Sequence, residues 1–417
     1  MSSEKDWDIL RRLAAELAEI GNRPEQKEKI LLWTGLNDLK PERPMVWITE
    51  IPWGEIENDI EELTPQCSDE ELIDIERHFR TKLFTAKYLE CDEVFLPEFY
   101  VNKAIKGSDY GVEIEEKRIQ QGQSNIQSHD YEPVIKDFED IEKIKMPDIH
   151  HDQAETERRV AFYNDLFGDI LDVKTTGPRQ HFFNGWDRVV RWTGVSEVLL
   201  DMAMRPDYIH ALMRRLTDSF LSRMTQLEEQ GLLDTEVPIN RVGSGAAGFT
   251  NELPASGYDP DHVRTIDQWG GATPQIFSEV SAEMHEDFAI NYENEVMERC
   301  GLNYYGCCEP LHNKMHLMAK VPRLRKISIS PWCDVAKAVE NAAETYVFSH
   351  KPTPAVMAED KFNIERAEKD IRERLDKSGN MPCEFIIKDI STIRGDPQRI
   401  IDWCRMASGV VKECSTR

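Results

Sequence analysis

The chain has 417 residues, of which 40% are hydrophobic and 31% charged, and its formal net charge is −26. So acidic a composition lacks the clustered Lys and Arg that nucleic acids or anionic membrane surfaces demand, so neither is expected as a partner. Nine cysteines without a repeated spacing exclude a disulfide framework. Together with a polar N-terminus and no apolar run of membrane-spanning length, they predict a cytoplasmic protein with reduced thiols.

Residues 4–40 read as a helical extension, with Leu10, Leu13, Leu17 and Ile20 at helical spacings and a second run after Pro24. Residues 41–412 then form one unit. A strand over 45–51 ends at Pro52, flanked by Trp47 and Trp53; a helix over 70–89 and a strand over 92–100 follow. The stretch 101–151 is polar and broken by Gly107, Gly111 and Gly122, which predicts an inserted excursion with short strands, one of them over 110–119. Beyond it, helix and strand alternate. A helix over 155–167, a strand over 170–175, helices over 186–204 and 206–230 and a strand over 236–242 lead to GSGAAGF. No Lys-Ser/Thr follows those glycines, so they are no phosphate loop. DQWGG reads as a loop and 275–299 as a helix.

The stretch 301–315, GLNYYGCCEPLHNKM, places Cys307, Cys308, Glu309 and His312 within six positions. On a strand Tyr305, Cys307 and Glu309 share one face and Cys308 takes the other. Thiolate, carboxylate and imidazole suit zinc better than magnesium or calcium, which makes Cys307, Glu309 and His312 candidate ligands. The plainer alternative is a pair of packed thiols beside a solvated Glu and His. Strands over 325–330, 345–349 and 384–387, with intervening helices, complete about eight strand–helix units. That count predicts an α/β fold of the (β/α)8 barrel kind, with its chemistry on the loops after the strands. Those loops bring forward Trp53, His181, Asn184, Trp269, Trp332, Asp334, His350, Lys351 and Asp389.

Three segments carry a family resemblance: RPMVWITEIPW, the long run TTGPRQHFFNGWDRVVRWTGVSEVLLDMAMRPDYIHALMRRLTD, and the closing strand and helix over 385–407. Over most of 40–410 the chain resembles the uroporphyrinogen decarboxylase superfamily, especially its corrinoid-linked methyltransferases. It departs from the decarboxylases, whose substrate-binding arginine is replaced by Ile48, Thr49, Glu50 and Ile51. It departs also from the zinc set of the methyltransferases. Tyr305 and Cys307 stand at His-x-Cys, and 389–391 stand near the distant Cys, so Glu309, His312, Asp389, Glu293 or Glu295 would replace the lost ligands. An oxygen-richer site suits removal of a methyl group from an ether, where an acid must neutralise the departing oxygen. The resemblance therefore implies transfer of a methyl group from a small methylated, methoxyaromatic substrate to cobalt. Catalysis falls to Glu309, His312, Tyr305 and Asp389, and substrate contacts to Trp53, His181, Trp186, Trp269 and His350. No corrinoid-binding Asp-x-His-x-x-Gly occurs, so the corrinoid would arrive on a partner protein; a homodimer is also admitted. The rival expectations are a uroporphyrinogen-type decarboxylase and a barrel that only binds a small molecule.

Overall fold

A computed structural model describes residues 4–119, 128–235 and 241–414. The chain opens with helices α1 (Glu4–Gly21) and α2 (Pro24–Asn37), then β1 (Met45–Ile48), α3 (Glu70–Tyr88) and β2 (Glu98–Asn102). The excursion holds β3 (Ile105–Lys106), β4 (Glu115–Ile119), β5 (Ser128–Glu132) and β6 (His150–His151). These pair as two antiparallel ribbons, β3 with β6 and β4 with β5. There follow α4 (Gln153–Phe167), β7 (Asp172–Thr176), β8 (Gln180–Phe183), α5 (Gly185–Thr193), α6 (Val195–Met204), α7 (Pro206–Glu229) and β9 (Trp269–Ala272). The last third runs through α8 (Ala282–His285), α9 (Asn291–Met297), β10 (Leu302–Tyr305), α10 (Met315–Met318), β11 (Leu324–Ile329) and α11 (Val335–Asn341). It closes with β12 (Val347–His350), α12 (Ala355–Ala358), α13 (Ile364–Ser378), β13 (Cys383–Ile387) and α14 (Gln398–Cys414). No helix of the described residues is long and apolar enough to cross a membrane.

Seven strands form one sheet in the order β1-β13-β12-β11-β10-β9-β8, and every pairing in it is parallel. The first strand lies beside the last, with Met45 opposite Glu384. Pairing of the chain's first strand with its last in an all-parallel sheet is the strand order of a (β/α)8 barrel, and the α/β fold is barrel-like as expected. β2 and β7 form a separate parallel pair.

Alternation along each strand sorts side chains to two faces. Trp47, Phe182, Tyr304 and Ile386 turn to the inner face, while Val46, Phe183, Tyr305 and Phe385 join the main apolar cluster under the helices. The inner face carries a buried ion pair, Lys326 Nζ to Glu384 Oε2 at 2.8 Å. The GSGAAGF loop completes it: Lys326 donates to the Ala247 carbonyl at 2.9 Å, and Ala246 N donates to Glu384 Oε1 at 2.9 Å. Gly245 is obligatory there, since a Cβ would stand 2.6 Å from the Tyr304 ring and 2.7 Å from Glu384.

Several boundaries differ from expectation for local reasons. DQWGG is not a loop: Trp269–Ala272 is a central strand whose glycines let Tyr304 and Cys300 approach closely. The helix expected over 186–204 is broken at Gly194, φ +91°. That over 275–299 becomes a 3-10 turn, α8, a π turn over Glu286–Ile290, and α9. The strand expected over 92–100 begins only at Glu98, although Asp92 already reaches β1, its N donating to the Val46 carbonyl at 2.8 Å and its side chain accepting from Val46 N at 2.8 Å. Most of the strand expected over 236–242 lies outside the described residues.

Candidate functional site

β10 ends at Tyr305, and Gly306 turns the chain at φ +90°. An added Cβ there would meet Leu311 at 2.8 Å. Beyond this turn the two-residue alternation lapses, so Cys308 does not face away from Cys307: the two sulfurs are 3.5 Å apart. The loop is pinned to the inner face by Ser244 Oγ donating to the Gly306 carbonyl (3.1 Å) and Ser328 Oγ donating to the Cys307 carbonyl (2.5 Å).

Cys307 and Cys308 form one wall of a cleft of about 330 Å³. The other walls come from the loops after β11 (Pro331, Trp332), β12 (Lys351, Pro352, Pro354) and β13 (Lys388, Asp389). All of these lie past the C-terminal ends of parallel strands, where barrel folds place their chemistry. Trp332 is 77% exposed at the rim.

Two lysines set the electrostatics. Burial pushes Lys351 down to about 7, against the pull of Glu384 and Cys307. It donates to Tyr304 Oη and, at 2.9 Å, to Ser349 Oγ. Burial also opposes the charge of Lys388, but its bond to Asp389 at 2.6 Å, with Cys307 and Glu50 nearby, holds its pKa above the usual value. The Cys307 thiol is drawn down to about 6, first by the Cys308 hydrogen bond and then, against burial, by Lys388 and Lys351. Glu50 closes the network: it binds Arg241 at 2.6 Å and accepts from Asp389 N at 2.9 Å. Burial opposes its charge, yet Arg241 and Lys388 lower it to about 2. Glu50 and Asp389 both hold left-handed backbone, φ +54° and +56°, strain of a kind that collects at working sites. A second cleft, of about 240 Å³, is lined by Glu50 itself with Trp53, Lys82 and Arg241.

The remaining expected residues fall elsewhere. Of the substrate set Trp53 lines the second cleft, its ring edge-on to Phe84 at 5.7 Å. The others occupy packing positions. His181 points outward, sealed and driven by burial to about 3. Trp186 packs on Phe277 at 4.6 Å, and Trp269 faces inward, donating to the Gly248 carbonyl at 2.9 Å. His350 stacks on Phe385 at 5.0 Å and bonds Ser378 Oγ at 2.9 Å. Of the catalytic set only Asp389 lines the cleft. Tyr305 is outward and sealed, donating to Glu293 Oε2 at 2.6 Å beside His285 at 2.8 Å.

Glu309 is fully buried, turned back beneath the loop to accept from Cys307 N (3.0 Å) and Thr273 Oγ1 (3.2 Å); burial raises it to about 7. His312 Nδ1 accepts from Asp334 N at 3.2 Å. Among the described residues no three His, Cys, Asp or Glu side chains are grouped as a metal requires. The residues proposed for zinc therefore do not fit it: a buried carboxyl, an engaged imidazole and a thiol face different ways. What sequence reasoning passed over was Lys388; Lys351 was brought forward only as a loop residue beside His350. Lys388 does carry a signal, a charge directly after the apolar strand FII.

No known protein-family model matches this sequence, and no curated protein matches it. Among solved structures the chain is similar to a methyltransferase from Methanosarcina mazei, with a TM-score of 0.51 and 12% identity over 91% of this chain and 97% of that one. The likeness is one of fold. It spans both chains almost end to end.

Proposed function

We propose that the chain is a methyltransferase of the uroporphyrinogen decarboxylase superfamily that demethylates a small methoxylated aromatic. The acceptor is the cobalt of a corrinoid carried by a separate protein, and the setting is the cytoplasm. The observation that carries the proposal is the cleft of Lys351, Lys388, Trp332 and the prolines at the strand ends; the fold shared with the Methanosarcina mazei methyltransferase supports it.

When the methyl carbon leaves its ether oxygen, negative charge grows on that oxygen and needs a proton or a cation. Lys388 supplies a fixed cation, oriented by Asp389. Lys351, titrating near 7 and aligned by Tyr304 and Ser349, supplies the proton. The acid role expected of Glu309, His312 and Tyr305 thus passes to Lys351, and Asp389, expected among the catalytic residues, is instead a positioning residue for Lys388. The aromatic ring rests against Trp332, Pro331 and Pro352. The open side of the cleft is left for the corrinoid partner.

The test is single-turnover methyl transfer from a panel of methoxybenzoates to cob(I)alamin. Lys351→Met should lower the rate by roughly 10²–10⁴-fold, the range of a lost general acid. Wild-type protein that binds the aromatics yet transfers nothing, with free or protein-borne corrinoid, would establish the binding-only alternative. A homodimer is part of the same proposal and is read by sedimentation equilibrium.

A further inference from the structure

The two thiols of the cleft have a chemistry that methyl transfer leaves unused. Cys307 and Cys308 are consecutive, their sulfurs are in contact at 3.5 Å, and both line the open cleft. Six of the other cysteines are buried, and Cys414 lies exposed at the end of α14. Lys388 lines the same cleft and is held charged by Asp389. A cation beside an accessible thiol favours the thiolate that performs disulfide exchange.

We propose that Cys307 and Cys308 form a vicinal dithiol that low-molecular-weight disulfides oxidise reversibly to a bridge in the cleft wall. The Cys307 sulfur attacks one sulfur of the external disulfide, whose S–S bond breaks, and the first small thiol leaves. The Cys308 sulfur then attacks the Cys307 sulfur and displaces the second. Two electrons pass from the protein to the external disulfide, and two protons leave on the released thiols. Adjacent Cα atoms stand about 3.8 Å apart, below the ~4.4–6.8 Å of relaxed bridges. The bridge is therefore strained and readily reduced, a reversible modification rather than a structural staple.

The experiment uses full-length Cys414→Ser protein treated with oxidised glutathione and read by intact mass and peptide mapping. The expected product has lost two hydrogens, retains no glutathione, and carries the linkage within the peptide that holds both cysteines; dithiothreitol reverses it. Cys307 should react at least about tenfold faster than any buried thiol, so Cys308→Ser should stop at a mixed disulfide on Cys307. A lasting glutathione adduct on protein with both cysteines present would overturn the proposal. So would absence of reaction in the folded protein when the same protein reacts after unfolding. Neither readout depends on methyl transfer, so the two proposals fail separately.

Discussion

Lys351 is buried beside a phenol and a serine, and its proton is held less firmly than in an unfolded chain. A lysine lowered to about 7 from its ordinary ~10.4 costs stability wherever the folded state must carry the proton. That cost is full below pH ~7 and fades as pH rises towards ~10, because the unfolded chain then binds the extra proton. Lys351→Met should therefore raise the urea midpoint at pH 6, with an advantage that shrinks by pH 9.5. A gain equal at both values would show that the proton is not responsible. Lys326 and Glu384 differ, because each is fully buried and answers the other at 2.8 Å. Lys326→Met strands a carboxylate, and chemical denaturation should show a loss of about 3–5 kcal/mol. Glu293, raised by burial to about 8, gives the opposite pH sign from Lys351. Its protonated form favours the fold, and that contribution disappears as pH climbs through 8. Glu293→Gln keeps an acceptor for Tyr305 and should raise the melting temperature at pH 9 but not at pH 5, by roughly 1 °C per kcal/mol for a chain of this length.

At the scale of elements, the turn after β10 decides where the thiols go. Gly306 occupies a left-handed conformation in a space closed by Leu311. Gly306→Ala should cost at least about 1–2 kcal/mol and separate the two sulfurs, visible as slower oxidation of the pair by glutathione. The same turn shows how much of this site could be read beforehand. Strands and helices were legible because period two and period 3.6 leave different apolar spacings, and the cysteine cluster stood out by composition. The face each residue takes was less legible. Extrapolating the strand through Gly306 sent Cys308 the wrong way. His181 and His350 sit on the helix side of their strands, where a neutral imidazole packs like an aromatic ring. Trp269–Ala272 looked like a loop because glycine signals turns, whereas here it admits neighbouring atoms at short range. The burial that shifts Lys351 carries no local pattern, since burial is a property of the assembled fold, whereas Lys388 shows at least as a charge directly after FII.

On the scale of the molecule, the N-terminal helices belong to the body of the protein. Leu10, Leu13 and Leu17 of α1 join Phe79 of α3 and Phe167 of α4 in a buried cluster, and Trp33 of α2 donates to the Asp92 carbonyl at 2.8 Å. Deleting residues 1–40 should expose that cluster and produce aggregation or a broadened, non-cooperative thermal transition. A truncated protein melting like the full chain would show the extension to be dispensable.

The pairing of β1 with β13 has a consequence for how the protein is made. Glu50 and Asp389, which join the two strand ends, are 339 positions apart. At ~5–20 residues per second, a ribosome needs roughly 20–70 s after emitting β1 before its neighbour appears. Throughout that interval the nascent chain presents the bare edge of an apolar strand, MVWI, a template for wrong partners. Heterologous yield should therefore follow translation speed and holdase supply more closely than the stability of the finished fold.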